Sequence, residues 1–206
     1  MILSASRRTD IPAFYSEWFF NRMKAGCVLA RNPMSIHQVS RIQLSPDVID
    51  CIVFWSKNPK PMLSRLSEIE KYPFYFQFTL NAYGPDQEEK MPPLSERVNT
   101  FKVLSEMIGP DRVIWRYDPI IVTDVYSVKF HTERFELLAR ELQSYTKRCT
   151  ISFVDVYRKI QSNFRRLEIR EMNSEEIISL ATSLSRICKE QGMILDTCAE
   201  KIDLSF

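Results

Sequence analysis

Glycine is scarce in this chain, four in 206 residues. They stand far apart, at 26, 84, 109 and 192, so no Gly-rich phosphate loop is present, and the chain speaks against a Rossmann-type dinucleotide fold, whose first turn spends three glycines at fixed spacing. Histidine is scarcer still: His37 and His131 are the only two. Neither lies near a carboxylate cluster in sequence, no Ser-His-Asp signature is local, and both read as structural or exposed. Cys-x-x-Cys and His-Glu-x-x-His are absent. No apolar run approaches the roughly 20 residues of a membrane span. The opening Met-Ile-Leu-Ser-Ala-Ser meets Arg7, Arg8 and Asp10 with neither a basic n-region nor an apolar h-region, so the reading is no signal peptide, no membrane and a cytoplasmic location. Five cysteines, an odd number at wide spacings, suit reduced thiols rather than a disulfide framework. Cys51 and Cys149, in apolar runs, read as core.

What is present is an ordinary globular composition, 45% apolar and 12% aromatic, which rules against disorder and collagen-like repeats. The net charge of +2 is unevenly spread: residues 1–60 carry eight Lys/Arg against four Asp/Glu, and the remainder 20 against 22. That bias points to a small anionic ligand. Nucleic acid is the weaker candidate, because there is no dense Lys/Arg run.

Six short apolar runs, 2–5, 51–55, 75–80, 113–117, 149–154 and 193–197, read as strands. The segments between them change to helical period. Pro12 opens one helix and Gly26 stops it, with Phe14 and Trp18, then Tyr15, Phe19 and Met23, at four-residue spacing. Helix 95–108 puts Val98, Phe101, Leu104 and Ile108 on one face. Asn173 with Glu176 three residues on is a capping-box spacing. Segments 62–69 and 130–142 are weaker helices, 28–44 reads as an inserted hairpin, and 81–93 as a long polar loop of the kind that serves as a lid or binding element. Strand–helix alternation predicts an α/β fold: one domain over 1–206, an incomplete TIM-like (β/α) barrel of about six parallel strands. A complete barrel typically takes about 250 residues.

Each apolar run ends in a polar cluster, and parallel strands would bring all of these to the carboxyl face, where α/β enzymes keep their sites. The candidate ligand-binding residues are Arg7, Arg8, Asp10, Lys57, Asn58, Gln77, Thr79, Asn81, Arg116, Asp118, Asp155, Asp196 and Glu200. Arginine grips carboxylate or phosphate bidentately, which singles out Arg7, Arg8 and Arg116. Arg116 and Asp118 share one side of their strand; an internal pair of Arg116 with a carboxylate that stitches neighbouring strands is an equal reading. Lys57 could form a Schiff base if desolvated, or be a surface lysine. Gln77, Thr79 and Asn81 alternate as neutral hydrogen-bonding groups. Asp155, Asp196 and Glu200 either serve as bases or metal ligands or balance the arginines. Lys57, Asp118 and Asp155 are the catalytic candidates.

Taken in order, 2–15 (Ile-Leu-Ser-Ala-Ser-Arg-Arg-Thr-Asp-Ile-Pro-Ala-Phe-Tyr), Val-Ser-Arg-Ile at 39–42, Cys-Ile-Val-Phe-Trp-Ser-Lys-Asn-Pro at 51–59, Tyr-Phe-Gln-Phe-Thr-Leu at 75–80, Val-Ile-Trp-Arg-Tyr-Asp-Pro-Ile at 113–120 and Ile-Ser-Phe-Val-Asp at 151–155 resemble the bacterial Domain of Unknown Function 1848 family. The resemblance covers essentially the whole chain. It implies a barrel-like α/β fold and, for longer members, a C-terminal cysteine cluster similar to the one that binds [4Fe-4S] in radical S-adenosylmethionine enzymes. This chain stops at Phe206 without clustered cysteines, and a cluster needs three or four thiolates close together. The expectation is therefore the substrate-binding barrel portion of such an enzyme, lacking the cluster segment and inactive alone, with cluster and S-adenosylmethionine belonging to a longer form. Two alternatives stay open: a cofactor-free binding module for a phosphorylated metabolite or nucleic-acid end, and a metal-dependent barrel hydrolase or lyase using Asp118, Asp155, Asp196 and Glu200.

Overall fold

The structure, a computed structural model, describes residues 1–6, 9–32, 34–35, 37–154 and 168–198. It is α/β, with six parallel strands in the order β1-β4-β5-β6-β7-β8 and a separate two-stranded sheet of β2 and β3. Among the described residues no pairing joins β1 to β8. The chain divides into two compact units, Met1–Phe78 and Thr79–Phe206, taken in turn below.

The first unit begins with β1 (Ile2–Ala5), which pairs with β4 (Cys51–Ser56) in parallel, Ala5 opposite Phe54. β4 pairs in parallel with β5 (Phe74–Thr79), Phe54 opposite Phe76. Phe74, Phe76 and Phe78 point to the buried side of β5 while Tyr75, Gln77 and Thr79 take the other, the two-residue period of a strand. Phe54 stacks on Phe76 at 4.7 Å between ring centres, and Phe19 meets Phe54 edge-on at 5.2 Å. The helix expected over 12–26 is two: α1 (Ile11–Phe14), capped by Asp10, and α2 (Ser16–Ala25), with Tyr15 in a non-helical conformation between them. The break also decides which aromatics are core. Phe19, Phe20 and Met23 are buried, whereas Phe14, Tyr15 and Trp18 are exposed. α2 ends at Gly26, whose φ of +70° is the left-handed cap that a side chain would strain. β2 (Cys27–Arg31) and β3 (Val39–Gln43) form the expected antiparallel hairpin. The segment Lys60–Ile69 is a 3₁₀ helix with Met62, Leu66 and Ile69 inward; Pro59 and Pro61 remove two backbone donors at its start.

The second unit holds α3 (Leu94–Ile108), β6 (Val113–Ile120), α4 (Val128–Leu142), β7 (Arg148–Phe153), α5 (Ser174–Glu190) and β8 (Ile194–Thr197). β6, β7 and β8 pair in parallel, and one register row carries Arg116, Thr150 and Asp196. β6 is longer than its apolar run suggested. It continues through a cis Asp118–Pro119 bond, with a register shift between Tyr117 and Ile120. Trp115 stacks on Phe135 of α4 at 4.6 Å, and Tyr117 meets the same ring edge-on at 5.1 Å. Val98, Phe101, Leu104 and Ile108 make the inward face of α3, as their spacing predicts. The long loop before α3 is tied down. Glu88 and Arg97 form an ion pair, 2.7 Å, with both side chains under 5% exposed, and the Arg97 Nε donates to the Pro92 carbonyl at 3.1 Å. Gly84 N donates to the Tyr126 hydroxyl, and Tyr126 donates to Asp86.

Candidate functional site

In the first unit the carboxyl ends of β1 and β4 meet at Asp10. Its Oδ1 accepts from Ala13 N at 3.0 Å, and its Oδ2 from the Ser56 hydroxyl at 3.0 Å and Lys57 N at 2.8 Å. Ser56 Oγ in turn accepts from Asn58 N at 3.0 Å, and Asn58 Oδ1 from Lys60 N at 3.4 Å. One carboxylate thus caps α1 and fixes the turn after β4, a use of three hydrogen bonds that makes Asp10 a structural bracket for this corner. Lys57 and Asn58 are partly buried beside it. Gln77 is partly buried on the side of β5 it shares with Tyr75, opposite Trp55 in register. Arg7 and Arg8 lie outside the described residues.

In the second unit the carboxyl end of β6 gathers a denser set. Arg116, 5% exposed, donates through Nε to Asp118 Oδ2 at 2.7 Å and through Nη2 to the same oxygen. Burial works against the Arg116 charge, but the Asp118 carboxylate, with the Cys198 side chain, outweighs it and holds the guanidinium above its ordinary value. An internal ion pair of Arg116 is therefore present, but its carboxylate stands on the same strand and does not stitch neighbouring ones.

Asn81 completes the set. It is fully buried; its Nδ2 donates to the Asp118 carbonyl at 2.8 Å, and its Oδ1 has no hydrogen-bond partner. A buried amide oxygen without a donor costs about 1–3 kcal/mol, which a bound donor would recover. The position is held on both sides: Leu80 N donates to the Arg116 carbonyl, and the Trp115 indole N–H to the Leu80 carbonyl, each at 2.9 Å. Beneath Pro119, Tyr83 donates to the Pro119 carbonyl at 2.7 Å and accepts from Ile121 N at 2.9 Å, and burial raises the Tyr83 pKa well above the usual phenol range.

The remaining candidates are dispersed. Thr79 ends β5, partly buried. Asp196 pairs with Arg148 of β7, so this carboxylate balances an arginine. Asp155 and Glu200 lie outside the described residues. His131 is fully buried and structural; His37 is exposed. Two features escape sequence reasoning: the orphan oxygen of Asn81, created by a carbonyl 37 residues away, and Cys198, whose nearness to Arg116 follows from β8 lying beside β7. Cys149 and Cys188 neighbour each other in the core, Cys149 raised well above the usual thiol range by burial. All five thiols are free. Among the described residues no three His, Cys, Asp or Glu stand close enough to hold a metal ion, and no helix is long and apolar enough to cross a membrane.

No curated protein matches the chain. The model of one family does, over residues 2–206, and its span leaves out only the first residue. This chain belongs to the Domain of unknown function (DUF1848) family.

Proposed function

We propose that this chain is the substrate-binding α/β part of an enzyme, and that the cluster of Arg116, Asp118 and Asn81 receives a zwitterionic α-amino acid group, the group that S-adenosylmethionine carries. The observation that supports it is the buried Asn81 Oδ1 with no donor, next to the pair of buried Arg116 and half-buried Asp118. Such a pair is complementary to a zwitterion: the ligand carboxylate meets the guanidinium fork, and the ligand ammonium meets Asp118 and Asn81 Oδ1. A phosphate-only ligand fits less well, because Asp118 already neutralises Arg116 and would repel a dianion.

The reading concerns binding alone. A [4Fe-4S] cluster, which supplies reductive cleavage in the radical enzymes that the family resemblance brings in, takes three or four neighbouring thiolates. The described cysteines do not fit it: no three of them stand close enough to hold a metal, and Cys149 and Cys188 are buried in apolar core. The five free thiols support a cytoplasmic setting.

Calorimetric titration tests the proposal with S-adenosylmethionine, methionine, N-acetylmethionine and methionine methyl ester. Saturable binding of the first two, with affinity at least about tenfold weaker once either charge is blocked, is the expected outcome. Equal affinity for blocked and unblocked forms, or no saturable binding of any, overturns it.

A further inference from the structure

The first unit contains a cavity of its own, about 360 Å³, between β1, α2 and the β2–β3 hairpin. Its walls are mostly apolar. Phe19 and Leu44 are buried beneath it, Val28 lines its hairpin side, and Trp18 and Leu29 stand at its rim, 47% and 68% exposed. Arg22 of α2 lines the same cavity, and its Nε is buried with no hydrogen-bond partner. Arg31 also lines it, and no Asp or Glu is among the described lining residues.

A guanidinium stays charged at any ordinary pH, and a buried N–H of it without an acceptor is costly. An anion in the cavity would relieve that cost, and the walls limit which anion. Apolar side chains make removing a dianion from water expensive, while a carboxylate carries one charge, presents two oxygens to the arginine fork and can bring an apolar body for Trp18, Phe19 and Leu44 to cover. The volume suits a molecule of roughly ten to twenty heavy atoms, small against typical pockets of about 300–1,000 Å³. We infer that this cavity is a binding site for a small monocarboxylate with an aromatic or aliphatic body, its carboxylate on Arg22 and its apolar end against Trp18. The site lies wholly within the first unit and does not depend on the reading of Arg116, Asp118 and Asn81.

The test titrates the full chain with phenylacetate, hexanoate and indole-3-acetate, following calorimetry and tryptophan fluorescence, with phenylethanol and inorganic phosphate as contrasts. At least one carboxylate should bind saturably, phenylethanol and phosphate should not compete with it, and Arg22→Gln should weaken it about tenfold or more. Leu29→Glu, an exposed position at the rim, should weaken it as well by placing a like charge at the entrance; it carries the test if Arg22→Gln does not give the wild-type circular dichroism spectrum. Absence of saturable binding by all three carboxylates overturns the inference. So does unchanged affinity in both folded variants, or phosphate binding more tightly than any carboxylate.

Discussion

His131 shows how a residue type associated with catalysis can be used for structure. The Ile121 carbonyl, 2.8 Å from Nε2, can only accept, so that nitrogen carries the proton; Nδ1 is left to accept the Tyr117 hydroxyl at 2.9 Å. Burial lowers the His131 pKa from its ordinary 6.5, and protonating Nδ1 would cost the bond from Tyr117. With the folded value below the unfolded one, the unfolded chain binds more protons in that interval. The stability His131 contributes is therefore complete above about pH 6.5 and is lost as pH falls through the window beneath it. Denaturant midpoints measured from about pH 7.5 down to about pH 5.5 should fall in the wild type and fall less in His131→Phe. Parallel curves for the two proteins would refute this use of the histidine.

Among the elements, α5 depends most visibly on a local sequence signal. Asn173 accepts from Glu176 N at 2.9 Å and Glu176 reaches back to Asn173 N at 3.0 Å, which closes the capping box that the sequence spacing predicts. Asn173→Ala should lower stability by about 1 kcal/mol, read as a drop in melting temperature. A melting temperature equal to wild type would mean that the apolar face of Leu180, Leu184 and Ile187 alone sets the helix. The capping box was legible because both partners lie within four residues. The strands were legible for a similar reason: each is a short apolar run stopped by polar residues, and the hairpin has a turn dividing two such runs. The break at Tyr15 was not: four-residue spacing groups Phe14 with Trp18 and Tyr15 with Phe19 and Met23, whereas the fold buries Phe19 and Met23 and leaves Phe14, Tyr15 and Trp18 exposed. The candidate site divides likewise. That Arg116 needs a partner was legible from its place on a buried strand; that the partner is Asp118 of the same strand, and not a carboxylate of a neighbouring one, was not. The orphan oxygen of Asn81 and the cavity at Arg22 arise only when distant segments meet, and no local pattern announces them.

At the scale of the whole molecule, family membership runs over residues 2–206, and the strand–helix alternation sets polar groups at the carboxyl ends of parallel strands. The two ends described here are used differently. Asp10 has its carboxylate committed to Ala13, Ser56 and Lys57, whereas the end of β6 keeps a buried acceptor unsatisfied beside a charge pair. That contrast supports the proposed binding role of the β6 end and gives Asp10 a scaffold role. The most direct measurement is a crystal structure of the chain with methionine. The account predicts the ligand carboxylate on the Arg116 guanidinium and its ammonium within hydrogen-bond distance of Asn81 Oδ1. Methionine bound elsewhere, with Asn81 Oδ1 still lacking a donor, would contradict it.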